Sequence, residues 1–186
     1  MVKKNNIAFT FATAEVNFLG RLFIMITELV TGKLKLKKLY DEYLSENRPP
    51  EFFWDDAVKK LNFTIKTNFK KGSYIPHKGK LIVIANHAFG VADGVSICSV
   101  VSRIRQDYKM VTHKVLRQAE AVKNKILPID FNQTKDALLT NINTRKEAEK
   151  TLNDGGVIII FPSGRIATKK NLNKNTKADD GEWKQW

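Results

Sequence analysis

An α/β fold, with a largely parallel central sheet flanked by helices and an N-terminal amphipathic helical segment, follows from three features of the sequence. Two short, uninterrupted apolar runs, LIVIAN at 81–86 and VIIIF at 157–161, read as strands buried on both faces. Residues 91–104 and 134–153 carry apolar side chains at helical spacing. Strand-like and helix-like segments alternate along the chain, as parallel strands joined by helical crossovers do.

Residues 7–30 are the greasiest stretch, but Glu15, Asn17, Arg21 and Glu28 interrupt it, so it lacks the roughly 20 apolar residues of a spanning helix. Lys3 and Lys4 before IAFTFATA resemble a secretory leader, with an apolar part shorter than the usual ~7–15 residues. Leu19, Leu22, Phe23, Ile26, Leu29 and Val30 recur at helical spacing, and KLKLKK follows at 33–38. Two readings fit: a helix lying in a membrane interface, or an ordinary helix packed on the domain. A helix is expected over 34–45, ending before Arg48-Pro49-Pro50. A short one is expected over 51–61, with Phe53, Trp54, Ala57 and Val58 inward. Leu61, Phe63, Ile65 and Phe69 alternate with polar residues, which predicts a half-buried strand over 61–69. After LIVIAN, the helix at 91–104 turns Val95, Cys98, Ser99 and Ser102 inward. A strand at 108–112, a helix at 113–122 and a strand at 126–130 follow. The helix at 134–153 stops at Gly155-Gly156.

The 186 residues suit one compact domain, and 42% apolar content with eleven Phe and three Trp excludes a disordered chain. One cysteine excludes a disulfide scaffold and a Cys-rich zinc site; mid-helix on an apolar face, Cys98 reads as a core thiol. His77, His87 and His113 are too far apart for a local metal-ligand pair, and there is no phosphate-binding glycine loop of either common type. The net charge of +13 is spread along the chain. It suits an anionic membrane or a phosphorylated or carrier-bound ligand, and equally simple solubility. Neither a clustered basic face nor an aromatic-studded strand is present, so nucleic acid is not an expected partner.

Parallel sheets place their sites beyond the carboxyl ends of the strands. The segments after LIVIAN and VIIIF therefore matter most. The first is Asn86-His87-Ala88-Phe89-Gly90-Val91-Ala92-Asp93-Gly94. A histidine at a strand end and an aspartate near the next helix start can pair, fixing the imidazole tautomer and leaving the other nitrogen as a base. The same residues also fit a plain helix cap at Asp93 and a satisfied buried histidine. The second segment is Phe161-Pro162-Ser163-Gly164-Arg165. Its backbone amides, Ser163 and Arg165 suit an anion, though Pro-Ser-Gly is also ordinary turn chemistry.

Taken together, Asn-His-x-x-x-x-x-Asp after one buried strand and Phe-Pro-x-Gly after a later one resemble the glycerolipid (lysophosphatidic-acid, or 1-acylglycerol-3-phosphate) acyltransferase family. The nearer likeness is to its hemolysin-like and lyso-ornithine-lipid acyltransferase subgroup, through NHAFGVADG. The resemblance covers most of the chain, including FWDDAVKKLNF, the Ile75-Pro76-x-x-Gly79 turn, ILPID and the Gly155-Gly156 entry to the last strand. It implies His87 as general base and Asp93 as its orienting partner. It also implies a substrate-binding set of Asn86, Phe161, Pro162, Ser163, Gly164 and Arg165. Three differences from the main branch stand out. The His-to-Asp spacing is one residue longer, Ser163 replaces a glutamate, and Arg165 follows the glycine one place early. ILPID also lacks an arginine often found there. These bear on the acceptor more than on the reaction type.

The resemblance further implies transfer of a fatty acyl group from an acyl-CoA or acyl-carrier-protein thioester to a hydroxyl of a lyso-lipid, with no metal or redox cofactor. Backbone donors near Gly94 are the candidates for the oxyanion. The expected organisation is a membrane-associating helical segment at 1–45 and an acyltransferase domain at 46–186, with the protein peripheral on the cytoplasmic face of a membrane. The polar tail after Arg165, ending at Trp186, reads as a C-terminally truncated domain. An inactive lipid-binding remnant of the same fold is the competing expectation.

Overall fold

The computed structural model describes residues 33–70 and 74–162. The expected interfacial helix at 7–30 and the tail from Ser163 onward lie outside them.

Four parallel strands form the sheet: β1 (Leu81–Ile84), β2 (Tyr108–His113), β3 (Ile126–Ile129) and β4 (Val157–Ile160). Their order is β1-β4-β2-β3, with Leu81 opposite Val157, Tyr108 opposite Val157 and Met110 opposite Ile126. The helices are α1 (Lys33–Ser45), α2 (Phe53–Lys60), α3 (Val91–Ser102) and α4 (Lys135–Asn153). This is the α/β architecture the sequence predicts.

Strand alternation divides the interior into two layers. Val157 and Ile159 of β4, Tyr108 and Met110 of β2, and Ile126 of β3 join Val95, Cys98 and Val101 of α3 in the main core. Trp54 and Val58 extend it through α2, and Tyr40 and Tyr43 through α1, where Tyr43 meets Phe53 edge-on at 5.1 Å. Cys98 is fully buried, and burial pushes its thiol far above the ordinary range, which fits a core residue. Ile158, Leu127 and Ile129 alternate to the other face, where α4 packs on β3, β4 and β2. Thr134 caps α4, its hydroxyl accepting the Ala137 N–H at 3.1 Å.

At the amino end of the sheet, Arg105 is 3% exposed. It donates to the carbonyls of Pro76, Gly79 and Gly155 and pairs with Asp107. Gly156, which opens β4, has no room for a side chain: a Cβ there would stand 2.8 Å from the Asp107 carbonyl oxygen.

Three expectations are corrected. Residues 63–70 form no strand. Phe63 and Ile65 pack on the core, and no neighbouring strand supplies the ladder that alternation alone cannot. The helix expected over 113–122 is a 3-10 turn at Lys114–Gln118, because the His113 side chain accepts the Val115 N–H and Ala119 is extended. LIVI is not buried on both faces. β4, not β1, is central, so Ile82 and Ile84, which share the Ile158 face, remain 52% and 63% exposed on the edge strand beyond the strands α4 packs on.

Candidate active site

The parallel pairing of β1 with β4 brings the two sequence-predicted loops to one end of the sheet. The ladder continues one step past β1, where the Ala85 N–H donates to the Ile160 carbonyl at 3.2 Å. His87 leaves β1 two residues later, and Phe161 immediately follows β4. Their rings stack with centroids 4.4 Å apart and planes 29° apart. Phe161 and Pro162 are buried, and Asn86 is exposed at the same turn. Ser163, Gly164 and Arg165 lie outside the described residues.

Gly90, at φ 62° and ψ −117°, reverses the chain so that α3 begins at Val91. That conformation is open essentially to glycine alone. The turn swings Asp93 back over the loop. Its Oδ2 accepts the Phe89 N–H at 2.7 Å and lies 3.4 Å from His87 Nδ1. Asp93 is not the plain N-cap that the sequence also offered: Gly90 holds that place without a side-chain cap, and Asp93, the third residue of α3, reaches back to the loop and to His87 with one carboxylate. His87 Nδ1 is buried without a hydrogen bond, the one such side-chain nitrogen or oxygen among the described residues. At 3.4 Å the contact is electrostatic rather than a formed hydrogen bond. Closing by a few tenths of an ångström would complete it. A carboxylate facing Nδ1 favours the proton there and leaves the lone pair on Nε2.

Gly90→Ala is expected to destabilise the fold by about 1–3 kcal/mol. It is also expected to displace Asp93 from His87, lowering any His87-dependent activity more than the melting temperature predicts. Parallel thermal melts and turnover measurements check this.

The amides near Gly94 do not serve as free anion donors. The Ala92 N–H donates to the Phe89 carbonyl, and the Asp93 and Gly94 N–H groups donate to that of Gly90. The turn that builds the His–Asp contact consumes them.

One strand beyond β4, a second polar cluster closes the same end. It was missed in the sequence because it depends on β2 and β3 being neighbours. Asp130, 7% exposed, takes the Lys114 ammonium at 2.7 Å and the Asn132 N–H at 3.1 Å. Burial pushes the Asp130 carboxyl up, but Lys114 and the Asn132 N–H together hold it below the usual carboxylate range. His113 stacks on Phe131 at 5.8 Å. Burial lowers its pKa, with Asp130 opposing and Lys114 reinforcing the shift. Its Nδ1 accepts the Val115 N–H at 3.1 Å, which requires that nitrogen unprotonated.

The sign follows from linkage. The unfolded chain takes up the proton first as pH falls through about 6.5, so stability present above that value declines toward the lower folded pKa. Urea unfolding at pH 7.5 and 5.5 is expected to show this loss. His113→Asn, whose amide oxygen can still accept the Val115 N–H, is expected to reduce it. An unchanged difference would place the effect elsewhere.

Among the described residues no group of three metal-ligating side chains converges, and no helix is long and apolar enough to cross a membrane. A family model described as Acyltransferase matches residues 66–182, a range that includes all four strands and both loops of the site. No curated protein and no solved structure matches the chain.

Proposed function

Because the chain belongs to the Acyltransferase family, we propose that it is an O-acyltransferase moving a fatty acyl group from an acyl-CoA or acyl-carrier-protein thioester to a lyso-lipid hydroxyl at a membrane surface, with His87 as general base. The observation that carries this is the Asp93 carboxylate 3.4 Å from His87 Nδ1, beside a ring stacked on Phe161 from the neighbouring strand. Asp93 holds the Nδ1 proton and stabilises the imidazolium. Phe161 fixes the ring plane. His87 Nε2 takes the acceptor hydroxyl proton as its oxygen attacks the thioester carbonyl. The new C–O bond forms and the C–S bond breaks. The departing thiolate takes the proton back from the imidazolium, so ester and free thiol are the products. The chemistry needs no metal or redox cofactor. Asn86, Phe161, Pro162, Ser163, Gly164 and Arg165 are the residues proposed to bind substrate. The lyso-ornithine-lipid subgroup gives the acceptors to test first, and the cytoplasmic leaflet is the proposed location.

The test is thiol release from paired acyl-CoA and acyl-carrier donors against a panel of lyso-lipids, with the acylated lipid identified by mass. Donor- and acceptor-dependent release that His87→Ala removes supports the reading. Silence across the panel supports a lipid-binding remnant without catalysis.

A further inference from the structure

Both ends of the sheet hold ion pairs, Lys114 with Asp130 at the carboxyl end, but they differ in the apolar side chains around them. The amino end is laced with ion pairs and charged hydrogen bonds: Arg105 with Asp107, Lys109 with Glu147, and Lys150 with Asp154. The carboxyl end, where His87 sits, is edged with exposed apolar side chains. Phe89, in the turn between His87 and Asp93, is 78% exposed, and Val91 follows it exposed at the start of α3. Ile84 is the exposed last residue of β1, and Phe131 is exposed just past β3.

Helix α4 adds to the same end. Asn141 brackets Asp130 through both its backbone N–H and its carbonyl, and the Thr144 hydroxyl donates to the Pro128 carbonyl. These bonds set residue 141 level with the end of β3, so the first turn of α4 overhangs the sheet. Leu138 and Leu139 lie on that overhang, and both are exposed.

Six large apolar side chains thus ring the end that bears the site, on a chain of net charge +13. Exposed apolar patches of this kind mark interaction surfaces. Aromatic and leucine side chains at a rim insert into the headgroup–acyl boundary, and a strongly cationic protein is drawn to anionic lipid.

We infer that the carboxyl end of the sheet is the membrane-docking face, with Phe89, Phe131 and the Leu138–Leu139 overhang entering the lipid so that the His87 loop lies against the bilayer. This goes beyond the proposed reaction by stating which surface meets the lipid. It makes docking a property of the domain itself, whatever residues 7–30 add. Charge draws the protein to the surface, and the rim decides which way it faces.

The experiment is co-sedimentation of the full chain with vesicles of equal phosphatidylglycerol and phosphatidylcholine, and with phosphatidylcholine alone. Three forms are compared: wild type, the rim variant Phe131→Ser/Leu138→Ser/Leu139→Ser, and a control with the exposed Leu44 and Phe52 changed to serine. Circular dichroism and light scattering check fold and oligomeric state. Wild type and control are expected to bind the anionic vesicles alike, and the rim variant at least about tenfold more weakly. A spin label at Phe89→Cys, in a Cys98→Ala background, is expected to report insertion below the headgroups. Equal binding by rim variant and wild type would overturn the inference. So would a label that stays in water on bound protein, or a rim buried between two copies in a dimer that the variant dissociates. His87→Ala separates this inference from the reaction. Lost acyl transfer with unchanged vesicle binding supports both. Intact transfer with weakened binding by the rim variant alone keeps the docking face and removes the proposed base.

Discussion

Replacing His87 by alanine is expected to lower thioester-dependent acylation by at least about a thousandfold while the protein stays folded. The side chain is partly exposed and stands at a loop rather than in the main core, and its removal gives up the stacking on Phe161. Asp93→Asn is the sharper test. An asparagine oxygen can still accept the Phe89 N–H, so the turn and the start of α3 should persist. Its amide NH2 would then face His87 Nδ1 and favour the wrong tautomer, and kcat should fall by about 10²–10⁴-fold with little change in melting temperature. Turnover within threefold of wild type for Asp93→Asn would remove the orienting role.

Arg105→Met is expected to produce the largest loss of stability, about 3 kcal/mol or more. The ion pair with Asp107 is not the reason, because the carboxylate is half exposed and such pairs contribute little. The Pro76, Gly79 and Gly155 carbonyls are the reason: they converge on one guanidinium, and methionine would leave them without that donor. For a chain of this length the melting temperature should drop by about 6–12 °C. Lysine, with one compact ammonium in place of a planar fork, is expected to recover only part of it. A drop below 2 °C for Arg105→Met would show that water substitutes for the guanidinium.

The sequence carried the fold class because LIVI and VIII are apolar without interruption and the helices between them keep a 3.6-residue period. It did not carry strand order. Nothing in LIVI tells that it is an edge strand, since its exposed Ile82 and Ile84 are as apolar as the central Ile158 and Ile159. The misread strand at 61–69 has the same origin: alternation reports one apolar face, not the presence of a neighbour to pair with. At the site, His87 and Asp93 were legible because they are six residues apart across one turn. The stacking of Phe161 on His87, the Asp130–Lys114 pair and the overhang of α4 depend on which strands lie side by side, and only the folded chain supplies that.

The position of β1 has a kinetic meaning. Among the described residues it is hydrogen-bonded on one side only, to β4, whereas β4 is held by strands on both sides. His87 follows the outer strand and Phe161 the inner one. A transient peeling of β1 would therefore part the imidazole from its aromatic platform while the remaining three strands stay zipped. Local opening of this kind needs less free energy than global unfolding, so heat or denaturant is expected to loosen the His87–Phe161 contact before the rest of the sheet.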